Sequence, residues 1–179
     1  MATAVLIIDV QQGLCEGPEA VFDAAGTIER INRVNSHARG KGALVVFIRH
    51  ESQSGLLTHG SAAWQLARGL VTKPSDQFIR KTTPDSFLGT GLEALLQQHK
   101  IKDLVICGMM TEFCVDTTTR RALALGFPVT LVSDGHTSAG NSALSPQQVI
   151  AHHNETLSNM ASFGPRVKPV PSDRIEIDS

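Results

Sequence analysis

Short uninterrupted apolar runs alternate along this chain with stretches of helical spacing. Ala4–Ile8 is a continuous apolar run, the signature of a strand buried on both faces. In Asp23–Gly40 the residues Ala24, Ile28, Ile31, Val34 and Ala38 fall close to helical spacing before Gly40 stops the pattern. Ala43–Ile48 predicts a second strand. Beyond a polar, glycine-containing loop, Ala62–Leu70 predicts a short helix and Gln77–Arg80 a short third strand. Thr90-Gly91-Leu92-Glu93 spells a capping box opening a helix to about His99. Leu104–Cys107 predicts the fourth strand, Thr111–Leu125 a helix ended by Gly126, and Pro128–Val132 a fifth strand. Ser145-Pro146-Gln147-Gln148 reads as another helix start, with Ser as cap, Pro at the first position and Gln at the third; that helix runs to Met160. The proline- and charge-rich tail from Gly164 predicts one short strand and then frays.

Uninterrupted strands separated by helices predict an α/β fold: a doubly wound, mostly parallel sheet of five to six strands with helices on both faces. There is no internal repeat and no linker long enough to split the chain, so one domain spanning residues 1–179 is expected.

Composition then removes several function classes. A net charge of −1 with mixed signs offers no basic stripe, so no nucleic-acid partner is expected. No apolar run approaches the roughly 20 residues of a membrane helix, and the N-terminus lacks the basic flank and cleavage site of a signal peptide. Three cysteines without framework spacing argue against a disulfide scaffold and for a reducing compartment, so a cytoplasmic location is expected.

Ligands of open parallel sheets bind beyond the carboxyl ends of the strands. That rule selects Asp9 after the first strand, His50 after the second, Lys81 after the third, and Gly108 to Cys114 after the fourth. Each alone has a plain explanation: Asp9 as a turn cap, Lys81 as a solvated charge. Cys107, inside its apolar run, reads as packing. Cys114, just inside a helix start, would meet first-turn amides and the positive end of a helix dipole, and the expectation is a reactive thiolate of depressed pKa. Leu14, Trp64, Phe87 and Phe113 lie in segments that converge on the same edge and would wall a substrate pocket, with His50 hydrogen-bonding the substrate.

Other motifs weaken in context. Gly89-Thr90-Gly91-Leu92-Glu93-Ala94 has dinucleotide-fingerprint spacing but follows no strand, and a helix cap explains it, so no cofactor is expected. No P-loop and no Gly-x-Ser-x-Gly elbow occur. His153 shares a helix face with Val149, Ile150 and Leu157 and reads as partly buried packing, whereas Asp116 and Arg120, four apart, read as a local ion pair.

The chain resembles the isochorismatase-like cysteine hydrolases, which include nicotinamidases, N-carbamoylsarcosine amidohydrolase and streptothricin hydrolase. Three segments carry the resemblance in order: Val5–Gln11, Ile79–Phe87 and Val105–Val115, with a weaker match at Val132–Thr137. The resemblance implies an Asp9–Lys81–Cys114 triad. It also maps a cis peptide onto Met109-Met110 and an oxyanion hole onto the amides of Met110 and Cys114. In that chemistry Asp9 takes the thiol proton, Lys81 stabilises the thiolate, and the sulfur attacks a carbonyl.

Two departures sharpen the reading. Metal-dependent nicotinamidases carry Asp-x-His after the second strand, where this chain has His50-Glu51-Ser52; His50 and His59 without a third ligand make a poor zinc site, so no metal is expected. Isochorismatase itself cleaves a vinyl ether without a cysteine, and Cys114 tilts this chain toward small amide, lactam or carbamoyl C–N hydrolysis. The competing readings are a catalytically silent small-molecule binding protein, a vinyl-ether hydrolase, and a redox thiol protein pairing Cys114 with Cys107 or Cys15. The expected partners are a small-molecule substrate and further copies of the chain, in a homo-oligomer (dimer or tetramer).

Overall fold

In a computed structural model the described residues are 2–177. Met1, Asp178 and Ser179, which close the expected 1–179 domain and its tail, lie outside the described residues. The apolar runs become strands of one sheet: β1 (Thr3–Ile8), β2 (Leu44–His50), β3 (Gln77–Lys81), β4 (Asp103–Met109), β5 (Val129–Thr137) and β6 (Val167–Val170). They line up in the order β3-β2-β1-β4-β5-β6, and every neighbouring pair is parallel. β1 lies at the centre with all six residues buried, which is why its sequence is continuously apolar instead of alternating.

Alternate side chains of these strands feed two cores. Leu6, Ile8, Ile48 and Ile106 point to one face, where α3 (Leu92–Gln98), α4 (Asp116–Ala124) and α5 (Pro146–Ser158) contribute Leu96, Leu123 and Leu157. Val5, Ile7, Phe47 and Val105 point to the other, where α2 (Ala24–Gly40) lays down Ile28, Ile31, Val34 and Ala38. The helical spacing read in Asp23–Gly40 is thus the stripe that meets the sheet. α5 begins with a complete capping box between Ser145 and Gln148.

Three local expectations are corrected. Ala62–Leu70 is not a helix but a turn-rich loop. The carbonyls of Ala63 and Gln65 accept from Gly13 and Gln12, at 2.9 Å each, and Ala67 donates to Val10 at 2.9 Å, so groups that a helix would pair internally are engaged elsewhere. The donors belong to or adjoin α1 (Gln12–Cys15), a single short turn that no periodicity marks. At α3 the capping box does not close. Thr90 Oγ1 accepts from Leu92 N–H at 3.2 Å, whereas Glu93 accepts from Gln97 at 3.3 Å. The predicted helix at Thr111–Leu125 opens instead as a wide π-turn, Thr111–Val115, before α4.

Candidate active site

β1 ends by turning sharply. Asp9 adopts φ 52°, in the left-handed region, which Asp tolerates better than bulky residues. Its amide donates to Ile48 O at 2.9 Å, and Gln11 N–H returns to Asp9 O at 2.9 Å. Gln11, fully buried, then clamps three segments. Its Nε2 donates to the carbonyls of His50 (3.0 Å) and Trp64 (2.8 Å), and its Oε1 accepts from His50 N–H at 2.9 Å. Sequence reasoning missed this residue. The available signal was a polar side chain immediately beyond a continuous apolar run.

One residue before its end, β4 passes through Gly108, whose φ is +124° and where a Cβ would fall into the backbone of Ile8. Only glycine lets β4 approach β1 there. The Met109–Met110 peptide that follows is cis. Met110 O then accepts from Phe113 N–H at 3.1 Å and Val115 N–H at 3.3 Å, closing the π-turn on which Cys114 rides.

These strand ends bring Asp9, Lys81 and Cys114 together around one ammonium. Lys81 Nζ lies 2.7 Å from Asp9 Oδ2, 3.1 Å from Cys114 Sγ, 3.1 Å from Thr83 O and 3.3 Å from His50 Nδ1. The Lys81 and Asp9 side chains are 0% and 1% exposed. An ammonium has three hydrogens, so these four acceptors compete for it. His50 Nδ1 therefore presents its lone pair to Lys81. Burial first, and the Lys81 charge second, hold the His50 imidazolium below its ordinary range.

The protonation of Cys114 corrects the expectation of a resting thiolate. Burial, reinforced by the Asp9 carboxylate, pushes its thiol up to about 12, and the opposing pull of Lys81 does not reverse this. Asp9 is also raised, by burial against the stabilising effects of Lys81 and the Cys114 thiol. The resting pair is thus a protonated sulfur beside a carboxylate whose proton affinity has been increased. The dipole of a turn opening loses to desolvation here.

The donor atoms of Asp9, His50 and Cys114 lie within 4.8 Å of one another, the spacing of a three-ligand cation site. The Lys81 ammonium already contacts all three. A divalent ion among these donors would have to displace a buried lysine, so the residues do not fit a metal there. His59 stands apart, edge-on to Trp64 with centroids 4.6 Å apart.

The five expected pocket residues separate. His50 joins the cluster. Phe113 adjoins it in the π-turn and is 51% exposed. Leu14 is partly buried against the α2-side core. Trp64 is buried, with the Arg49 guanidinium 3.8 Å over its ring and its indole Nε1 without a hydrogen-bond partner. Phe87 is buried in the core against which Cys114 also packs and stacks on Phe127 at 6.4 Å. Its amide is held by Asp85 Oδ1 at 2.8 Å, in the turn that carries the side chain inward. Asp116 and Arg120 pair at 2.9 Å, as a local ion pair would. Beside the ends of β2 and β3 opens a cavity of about 420 Å³, lined by Glu51, Ser52, His59 and Arg80 among others.

Comparison with known proteins places this geometry. An isochorismatase domain matches residues 3–163. Streptothricin hydrolase of Streptomyces noursei is 37% identical over 134 residues, covering 74% of this chain and 49% of that protein. The chain thus spans about half the length of the streptothricin hydrolases it matches (49% and 53%). Nicotinamidase 3 of Arabidopsis thaliana is 29% identical over 177 residues, covering 90% of this chain and 81% of that protein. The crystal structure of an isochorismatase family protein superposes with a TM-score of 0.85 at 32% identity, covering 94% of this chain and 97% of the other.

Proposed function

The chain belongs to the isochorismatase family, and from that membership we propose that it is a hydrolase of small-molecule amide, lactam or carbamoyl C–N bonds acting through a Cys114 thioester. The observation that carries this reading is the single ammonium of Lys81, shared between Asp9 Oδ2 at 2.7 Å and Cys114 Sγ at 3.1 Å.

The steps follow from that arrangement. Asp9 accepts the Cys114 proton as the sulfur attacks the substrate carbonyl carbon, and Lys81 stabilises the sulfur's charge as it develops. Raising both proton affinities by burial keeps the thiol unreactive until a carbonyl is in place. The amides of Met110 and Cys114 are the proposed donors to the tetrahedral oxyanion; one such donor is typically worth about 3–4 kcal/mol. Collapse breaks the C–N bond, and Asp9 returns its proton to the leaving nitrogen. Water, deprotonated by Asp9, then attacks the thioester, and the carboxylic acid and the Cys114 thiol are released. We assign His50, neutral and hydrogen-bonded through Nδ1, and half-exposed Phe113 to the substrate side of the cluster. The proposed setting is a single domain in the cytoplasm, assembled as a homo-oligomer.

A substrate panel tests the reading: nicotinamide, pyrazinamide, N-carbamoyl amino acids and streptothricin-type lactams, assayed for amine or ammonia release with wild type and Cys114→Ala. Release by wild type that Cys114→Ala abolishes supports it. Release that Cys114→Ala retains in full sinks the covalent mechanism and moves the vinyl-ether or binding-protein reading ahead.

A further inference from the structure

The segment Val132–Thr137 has no part in the triad, yet it contains the one irregular register among the described strands. Between β4 and β5 the pairing runs Ile106↔Leu131 and then Gly108↔His136, so a step of two residues on β4 is matched by five on β5. Bulges of this kind re-aim side chains and recur beside active sites. Gly135 sits inside it with no room for a side chain: a Cβ would lie 2.6 Å from Val132 Cγ1.

The side chain that the bulge delivers is His136, which is 1% exposed. Its Nε2 is 3.0 Å from Asn154 Oδ1 on α5, and Asn154 Nδ2 donates to Ser133 O at 3.0 Å. The Ser133 carbonyl fixes the Asn154 amide with its oxygen toward the imidazole, so Nε2 carries the hydrogen. His136 Nδ1 is then a lone pair, and the group facing it at 2.8 Å is the Thr111 hydroxyl, which must donate. Burial lowers the His136 pKa to about 4, with Asn154 and Asp134 opposing and His153 adding to the effect, so this tautomer persists through the neutral range. Thr111 is itself fully buried and is the first residue of the π-turn that carries Cys114.

We propose that His136 and Thr111 are positioning residues, which fix the start of the nucleophile turn and thereby hold Cys114 Sγ against Lys81 and Asp9. The proposal rests on the reading of Cys114 as the nucleophile. The alternative is a satisfied buried trio that contributes packing alone. If the trio positions the turn, removing the Thr111 hydroxyl lets Sγ leave its buried place. Its titration then moves down toward the ordinary thiol value near 8.5, while turnover falls because the sulfur no longer faces its base.

The test uses Thr111→Val, which keeps shape and loses the hydroxyl, Thr111→Ser, which keeps the hydroxyl, and His136→Phe. Two quantities are measured: turnover on a substrate from the panel, and the pH profile of Cys114 alkylation by iodoacetamide, followed at the Cys114 peptide by mass spectrometry. Thr111→Val is expected to bring the alkylation midpoint toward 8.5 and to cut kcat about 10-fold with KM within twofold. Thr111→Ser is expected to restore both, and His136→Phe to behave like Thr111→Val where it folds. A wild-type alkylation profile and wild-type kcat in Thr111→Val overturn the proposal, as does failure of Thr111→Ser to recover what Thr111→Val loses. Failure of the amidase reading shows elsewhere, as turnover that survives Cys114→Ala; the alkylation arm then still decides the positioning role.

Discussion

The two edges of the sheet each bury a cation–carboxylate pair, and they treat it oppositely. At the amino edge Arg39 meets Asp76 through Nε at 3.0 Å and Nη2 at 2.7 Å, and Lys73 N–H donates to the same carboxylate at 2.6 Å. Both Asp76 oxygens are satisfied by a planar guanidinium, whose geometry cannot rearrange without breaking the pair. At the carboxyl edge Lys81 divides three hydrogens among four acceptors, and Asp9 Oδ1 has no hydrogen-bond partner. The amino edge also has a cavity of about 520 Å³, lined in part by Arg39, Asp76 and His99, in which Arg39 and Asp76 are paired with each other. One edge holds a fully paired carboxylate, and the edge proposed for chemistry holds a shared ammonium beside a carboxylate oxygen without a hydrogen-bond partner.

The largest expected difference between the edges is in turnover. Asp9→Asn and Lys81→Ala are each expected to lower kcat by about 10²-fold or more, the usual scale for a positioned acid–base group, whereas Asp76→Ala leaves kcat near wild type. Steady-state kinetics on any substrate found decides this, and equal losses at both edges would erase the distinction. Stability should run the other way. Asp76→Ala strands Arg39, whose side chain is 16% exposed, and is expected to cost about 3 kcal/mol in denaturant unfolding, as broken buried pairs do.

A smaller effect concerns pH. With Cys114 raised to about 12, its protonated form predominates at neutral pH. Wild-type alkylation is therefore expected to keep climbing between pH 7 and 9, with no plateau below 8. A plateau there would restore the resting thiolate and remove the need for Asp9 to act as base. The smallest expected effect is that of chelation. Because the Lys81 ammonium occupies the space among Asp9, His50 and Cys114, prolonged treatment with chelator is expected to leave turnover intact. Activity lost to chelator and restored by zinc would show that the cluster admits a metal.

What the sequence discloses divides along a physical line. Apolar runs and carboxyl-end placement are local or topological properties, so β1, β2, β4, α2 and the convergence of Asp9, Lys81 and Cys114 were all legible. The Ser145 capping box was legible because it closes within four residues. Ala62–Leu70 was misread because its carbonyls are claimed by amides some fifty residues earlier, at Gln12 and Gly13, which periodicity cannot register. The inward direction of Phe87 is set by a turn held by Asp85, which periodicity does not register. The state of Cys114 escaped for a related reason: a helix-start position is visible in sequence, but the depth of burial that outweighs it belongs to the packed structure. β5 runs to Thr137, beyond the predicted strand Pro128–Val132, because its bulge admits the polar residues that end the apolar run, and His136 lies in that extension.

The most direct test of the central claim is to trap the covalent intermediate. Wild-type protein mixed with a turned-over amide and quenched in acid within the first turnovers is expected to gain the mass of the substrate's acyl portion, without its amine. The adduct should map to the peptide containing Cys114, be sensitive to hydroxylamine, and build up further at low water activity. Turnover with no adduct at any quench time, together with full activity in Cys114→Ala, would contradict the account.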